Sequence, residues 1–224
     1  MTRTVTAEPG TIVVYGDVIC PWSHLATFRL FRARERLGLS EDVTFDMRAF
    51  PMELINGKPT SKRGIESEIP VIGGLDPEAG WQLWKRPSSE WPVTTLPALE
   101  AIEAAKLQGV RAGEQLGREL RRAFFAESRC VSLRTVILEV AGSCDLVDAD
   151  LLADDLDSGR ARPEVISHWR DQEEGPVQVS PHLFLPDGTD HPNPGIEKHW
   201  DGAILVIDSD DPSVYDELVR RAAS

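Results

Sequence analysis

The chain has 224 residues, 41% hydrophobic and 27% charged, a composition that fits one large globular domain or a domain with an insertion and excludes collagen, a disulfide framework and a wholly disordered chain. Lys and Arg number 24 against 37 Asp and Glu, and the resulting charge of −13 repels phosphate backbones and anionic lipid surfaces, so no nucleic acid is expected as a partner. No segment approaches the roughly 20 apolar residues of a membrane span, and no membrane partner is expected. The start, MTRTVTAEPG, lacks the basic and apolar runs of a secretion signal; three cysteines, an odd number too small for a disulfide framework, suit a reducing compartment. A cytoplasmic location and at least one free thiol are the expectations.

After the polar leader, Thr11 to Val18 (TIVVYGDV) reads as a buried strand, rich in β-branched residues and uncharged until Asp17. Cys20-Pro21 follows, and Trp22, Leu25, Phe28 and Phe31 recur at three-residue spacing until Leu37 and Gly38, predicting a helix with Pro21 just inside its start. Val43 to Phe50 alternates as a second strand, so the opening is a βαβ unit with a parallel pair, and the fold class is α/β or α+β. Residues 55–95 carry Pro59, Pro70, Pro77, Pro87 and Pro92 with Trp81, Trp84 and Trp91 and no sustained period; they read as a long structured loop, either a functional lid or cover for the core.

From Leu96 to about Glu174 the pattern is helical. Leu116, Leu120 and Phe124 mark one helix; Leu133, Val136, Ile137, Val140 and Ala141 mark another, capped by Ser132 and ended at Gly142. Asp148 caps a short helix closed by Gly159, and Pro163 opens one closed by Gly175. Strand signals return at Val177, Val179, Leu183 and Phe184 and again at Ala203 to Ile207, before a last helix opened by Asp211-Pro212 with Val214, Leu218 and Ala222 on its apolar face.

Cys20 is the leading chemical candidate. A thiol at the first turn of a helix faces unpaired N–H groups and the positive dipole end, which favour thiolate, the nucleophilic form. The competing reading is a small buried hydrophobe. His24, four residues on, shares a helix face and would favour thiolate if protonated, or is an exposed polar residue. Cys20, His24, His191 and His199 lack the paired spacings of zinc sites, and no metal is expected. Lys58, Lys62 and Arg63 form a basic spot, either for a ligand carboxylate or simply solvated. Asp17 is either a buried proton acceptor or a turn cap, and Cys130 and Cys144, at helix ends, read as packing residues.

The run Asp17-Val18-Ile19-Cys20-Pro21-Trp22-Ser23 after an apolar strand resembles the active-site segment of the DsbA family of the thioredoxin superfamily, especially its FrnE-like branch, whose motif is usually Cys-Pro-Trp-Cys. Val179-Ser180-Pro181, Asn193-Pro194-Gly195 and Asp208 to Pro212 look like later parts of that branch. The resemblance implies an α/β, thioredoxin-like fold with an inserted all-helical subdomain: residues 1–95 and 176–224 form the discontinuous thioredoxin-like domain and 96–175 the insertion. It implies that Cys20 and Ser23 are catalytic positions, that Pro21, Trp22, Ser180 and Pro181 bind substrate, and that Pro181 is cis.

Ser23 stands where that family has its second cysteine, and a hydroxyl cannot displace a thiol from a mixed disulfide. Three functions remain. The first is monothiol exchange, in which Cys20 forms a mixed disulfide that an external thiol such as glutathione resolves; glutathione is then a co-substrate, not a tightly bound cofactor, and the partner is a small thiol or a protein thiol or disulfide. The second is a glutathione-dependent transferase or isomerase resembling kappa-class transferases and 2-hydroxychromene-2-carboxylate isomerase. The third is a binding module without catalysis.

Overall fold

The computed structural model describes residues 3–224; Met1 and Thr2 of the polar leader lie outside the described residues. The opening unit is as expected: β1 (Thr11–Gly16), α1 (Pro21–Arg36) and β2 (Thr44–Ala49), with β1 and β2 parallel. β1 stops two residues early, because Asp17 turns the chain toward the helix. The expected loop over 55–95 is overturned in part, since α2 (Met52–Asn56) is followed by a fourteen-residue α3 (Lys62–Leu75). The Ser61 hydroxyl caps α3 at the Gly64 N–H, 3.0 Å away, and Ile65, Ile69 and Ile72 form its buried face. That stripe is hidden in sequence by Pro70, which forgoes one helical hydrogen bond, and by Gly73-Gly74.

Five helices then run from α4 (Leu96–Lys106) through α5 (Val110–Phe125), α6 (Arg134–Ala141) and α7 (Ala149–Ser158) to α8 (Arg162–Glu173). Asp148 caps α7 and Gly159 closes it with a left-handed backbone, φ 66°, as expected. Ser132 does not cap α6; its hydroxyl donates to the Thr94 carbonyl, and Leu133 takes the capping position.

β3 (His182–Phe184) returns antiparallel beside β1, and β4 (Asp190–Pro192) extends the sheet, giving the order β2-β1-β3-β4. Residues 177–181, expected as strand, lead into β3 as irregular chain. β5 (Ile196–Asp201) and β6 (Ile204–Asp210) form a separate two-stranded hairpin, and α9 (Val214–Ala222) packs on α1. β4 and β5 had no sequence signal: β4 has three residues, and the period of Ile196, Lys198 and Trp200 is disguised by a lysine.

β1 is buried on both faces. Ile12 and Val14 enter the main core with α1, α4, α5 and α9, while Val13 and Tyr15 pack with Phe184 and Val177 on the other side. The helical block is locked to this sheet by a buried charge. Glu114 of α5 accepts from the Phe45 N–H of β2 at 2.8 Å and pairs with Arg34 of α1 at 2.5 Å, all inside the protein. Replacing Glu114 by Leu strands the Arg34 guanidinium and the Phe45 N–H, and urea denaturation is expected to show a loss of about 3 kcal/mol, the scale for breaking a buried pair by removing one partner. An unchanged urea midpoint would show that the pair does not hold the block.

Candidate active site

The register of β1 against β3 builds the site. Tyr15 faces His182, so continuing the antiparallel pair sets Gly16 opposite Pro181 and Asp17 opposite Ser180. The Asp17 N–H donates to the Ser180 hydroxyl at 3.1 Å, and the Ser180-Pro181 peptide is cis, as the resemblance implied. On the far side of the β1–α1 turn, Cys20 takes the N-cap position of α1 and Pro21 its first residue. The Cys20 thiol donates to the Ser180 carbonyl at 3.2 Å, and the Ser23 hydroxyl lies 3.0 Å from that of Ser180. Cys20, Pro21, Ser23, Ser180 and Pro181, distant in sequence, therefore meet at one place. Only glycine fits at position 16, because a Cβ there would come within 2.2 Å of Ser23 Oγ.

The electrostatics differ from expectation. Cys20 is 4% exposed, packed among Trp22, Leu25, Ile72 and Leu205 with Met52, Trp81 and Ile207 at the margin. Burial pushes its thiol pKa up despite the helix N-terminus, because a dipole contribution of about 0.3–1 kcal/mol is smaller than the desolvation of a thiolate in an apolar shell. The expected low pKa is thus overturned for this closed arrangement.

His24 is neither a thiolate partner nor exposed. It is buried, stacked on Phe125 with ring centroids 4.6 Å apart, and its Nε2 lies 3.0 Å from the Ala79 carbonyl, which can only accept, so Nε2 carries the proton. Burial lowers its pKa to about 3, which leaves it neutral.

Asp17 is fully buried and takes the turn-cap role. It accepts from the Ile19 N–H at 3.1 Å as a turn cap, and from the Met52 N–H and the Thr95 hydroxyl at 3.0 Å each. Burial pushes its pKa up to about 6. Nearby, Arg121 of α5 is buried beneath Gly16; its Nη1 donates to the Gly117 carbonyl at 2.8 Å, and its Nε has no partner among the described residues. Desolvation lowers it to about 10, whereas Asp17 and Cys20 favour its charged form.

Sequence reasoning missed Arg121, and it missed Lys198 and Glu68, which the hairpin and α3 bring to the Cys20 neighbourhood. They carried no sequence signal, because each stands among other charged residues: Arg118, Glu119 and Arg122 around Arg121, Glu197 and Asp201 around Lys198, and Glu66 near Glu68. The basic spot divides: Lys62 pairs with Glu66 at 2.5 Å beside Arg63, while Lys58 borders a different depression with Glu53 and Val93. Trp84 and Trp91 pack on Phe124 as core cover, and Trp81 packs against His24 and Phe125 at the edge of the Cys20 cluster. Cys130 and Cys144 belong with the main core, apart from the Cys20 cluster, and all three thiols are free. His191 lies by Thr189 and Arg221, and His199 pairs with Asp208; among the described residues no group of three or more His, Cys, Asp or Glu could hold a metal ion. No helix among the described residues is long and apolar enough to cross a membrane.

The sequence model of the DSBA-like thioredoxin domain family matches residues 11–177, three quarters of the chain. The chain belongs to that family. It has the α/β, thioredoxin-like, helix-inserted fold that its motif implied. Among solved structures, the cytosolic disulfide reductase DsbM from Pseudomonas aeruginosa with GSH superposes with a TM-score of 0.63 at 16% identity, covering 95% of each chain. A probable DsbA oxidoreductase from Streptomyces coelicolor gives 0.68 at 18% identity over 95% of this chain and 89% of that one. A 2-hydroxychromene-2-carboxylate isomerase gives 0.57 at 17% identity over 81% and 88%. At these identities the likeness is one of fold. No curated protein matches the sequence.

Asp17 leaves a signature in the pH dependence of stability. An aspartate ordinarily titrates near 3.8, whereas folded Asp17 titrates at about 6, so the folded state prefers the acid form. Its contribution therefore grows as pH falls through 6 and is complete below 3.8. In urea denaturation from about pH 7 to about pH 4, the DsbA-like chain is expected to gain about 2 kcal/mol relative to Asp17→Asn, most of the equivalent of roughly two pKa units. A difference that stays flat over that range would mean that Asp17 titrates normally.

Proposed function

We propose that the chain is a thiol–disulfide oxidoreductase of the FrnE-like branch working with a single thiol. Cys20 Sγ, as thiolate, attacks one sulfur of a disulfide; the new S–S bond forms as the old one breaks, and the departing thiolate takes a proton from water. An external thiol such as glutathione then attacks the mixed disulfide, releasing Cys20 and carrying away the bound half as a new disulfide. The observation that carries this reading is the Cys20 thiol held 3.2 Å from the carbonyl that precedes a cis-proline, with a hydroxyl at position 23 and no second thiol in the cluster among the described residues.

In this reading Ser23 acts through Ser180, their hydroxyls 3.0 Å apart keeping the cis-proline segment against α1, and Pro21, Trp22, Ser180 and Pro181 form the surface that receives the substrate. The DsbM structure with GSH supports glutathione as co-substrate, and the reducing chemistry suits a cytoplasmic location. The division into a thioredoxin-like unit of residues 1–95 and 176–224 and a helical subdomain of 96–175 is part of the same proposal, supported by the start of α4 at Leu96 and the end of α8 at Glu173.

Intact mass after incubation with oxidised glutathione is expected to show one glutathione adduct, absent in Cys20→Ala and released by reduced glutathione. An unmodified native protein would overturn exchange at Cys20. Calorimetric binding of reduced glutathione, with turnover of an electrophile and no adduct, would instead establish the transferase or isomerase reading. Restoring the pair with Ser23→Cys is expected to produce insulin-reducing activity, because the two positions already share one turn of α1; a silent variant would show that the surface no longer accepts a protein disulfide.

A further inference from the structure

The β5–β6 hairpin carries one cation onto the first turn of α1. Lys198 Nζ sits 3.3 Å from the centroid of the Trp22 ring, and Trp22 shares the apolar cluster of Cys20, which Ile196, Leu205 and Ile207 of the hairpin help to close. Among the described residues no carboxylate lies within ion-pairing distance of that ammonium; the hairpin's own nearby carboxylate, Asp208, pairs with His199 instead. The reason is the register. Glu197 faces Ser209, so an uninterrupted ladder would set Lys198 opposite Asp208. A bulge at Glu197/Lys198 places Ile207 opposite Lys198, and Asp208 turns to His199, both its oxygens 2.9 Å from Nδ1. Bulges beside active sites commonly re-aim a side chain in this way.

The ammonium left without a carboxylate feels the site beneath it. Burial lowers its pKa to about 8, while negative charge at Cys20 and at Glu68 favours its protonated form. Around the thiol, hydrogen bonds from Ser180 and the Ser23 backbone favour ionisation, Glu68 from α3 and Asp17 from the β1–α1 turn oppose it, and a charge on the sulfur would hold Lys198 from β5 and Arg121 from α5 protonated. His24, on the next turn of α1, is neutral.

We propose that Lys198, aimed by the bulge onto the face of Trp22, is the positioning residue that supplies the counter-charge to the Cys20 thiolate. The inference rests on the exchange reading for its purpose. In the exchange step the Cys20 proton goes to solvent and Lys198 transfers none; its positive charge stabilises the sulfur anion before the S–S bond forms. The two groups titrate as a coupled pair, so removing the cation raises the thiol midpoint.

The test needs no disulfide. Thiolate absorbance is followed against pH on the full chain, with the same curve for Cys20→Ala subtracted to isolate Cys20. Lys198→Met keeps an apolar stem on the indole and is expected to raise the midpoint by about one unit, a tenfold loss of thiolate at a given pH. Lys198→Arg, which keeps a cation over the ring, is expected to hold the original midpoint, and Glu68→Gln to lower it. An unchanged midpoint in Lys198→Met would overturn the inference, as would equal shifts in the Met and Arg variants, which would assign the effect to packing. A shifted midpoint with no glutathione adduct in any variant would retain Lys198 as counter-charge and reject exchange; an adduct with an unshifted midpoint would retain exchange and reject Lys198.

Discussion

The site depends on one close approach, that of the Ser180-Pro181 segment to the turn that ends β1. The Ser180 hydroxyl accepts from the Asp17 N–H, meets the Ser23 hydroxyl, and stands beside a carbonyl that accepts from Cys20. None of this is possible with a side chain at position 16, where a Cβ would collide with Ser23. Glycine at the end of β1, serine one turn into α1 and serine before the cis-proline are thus a single packing solution. The serine hydroxyl that rules out an intramolecular disulfide at position 23 also supplies a hydrogen bond that a cysteine would make poorly.

Beneath this contact lies a buried polar layer. Asp17 uses three donors, and Arg121 contributes a desolvated positive charge whose Nε has no partner among the described residues. Buried groups of this kind contribute little net stability, because desolvation offsets most of their attraction. Their effect is to set the potential at the thiol: an aspartate with a pKa of about 6 changes its charge close to neutrality, and that change is felt at the sulfur. The thioredoxin-like layer supplies the carboxylate and the helical block supplies the guanidinium, so the insertion is part of the electrostatics of the site.

What sequence reasoning could read divides along the same line. The strand from Thr11, two residues shorter than its pattern, the parallel βαβ unit and the helical run from Leu96 follow from local pattern, and each is present. The cis state of Pro181 has no local signature and came only through resemblance to a family. The ionisation of Cys20 was misread because a helix N-terminus is a local feature, whereas the shell of Ile72 and Leu205 that outweighs it comes from segments far along the chain. His24 failed for the same reason, its ring being taken up by Phe125 and Ala79. Arg121 and Lys198 were invisible, since each gains its meaning only when α5 or the hairpin is folded against α1.

The cover over Cys20 is unevenly anchored, and this bears on how a substrate reaches the sulfur. At its base, Asp210 of β6 is held by a bidentate pair to buried Arg29 of α1, at 2.6 and 2.8 Å, and Arg29 also binds Asp76 at the end of α3. Fixed hydrogen bonds of this fork geometry resist displacement. At its tip, around Gly202, Trp200 and Ile204 are exposed, and among the described residues no hydrogen bond joins the hairpin to the four-stranded sheet. Leu205, opposite Trp200, thus joins the cover over Cys20 to the exposed tip, while the Arg29 pair fixes the base. The same apolar cover that keeps water from the sulfur is what raises its pKa, so access to the thiol and its ionisation depend on one set of side chains.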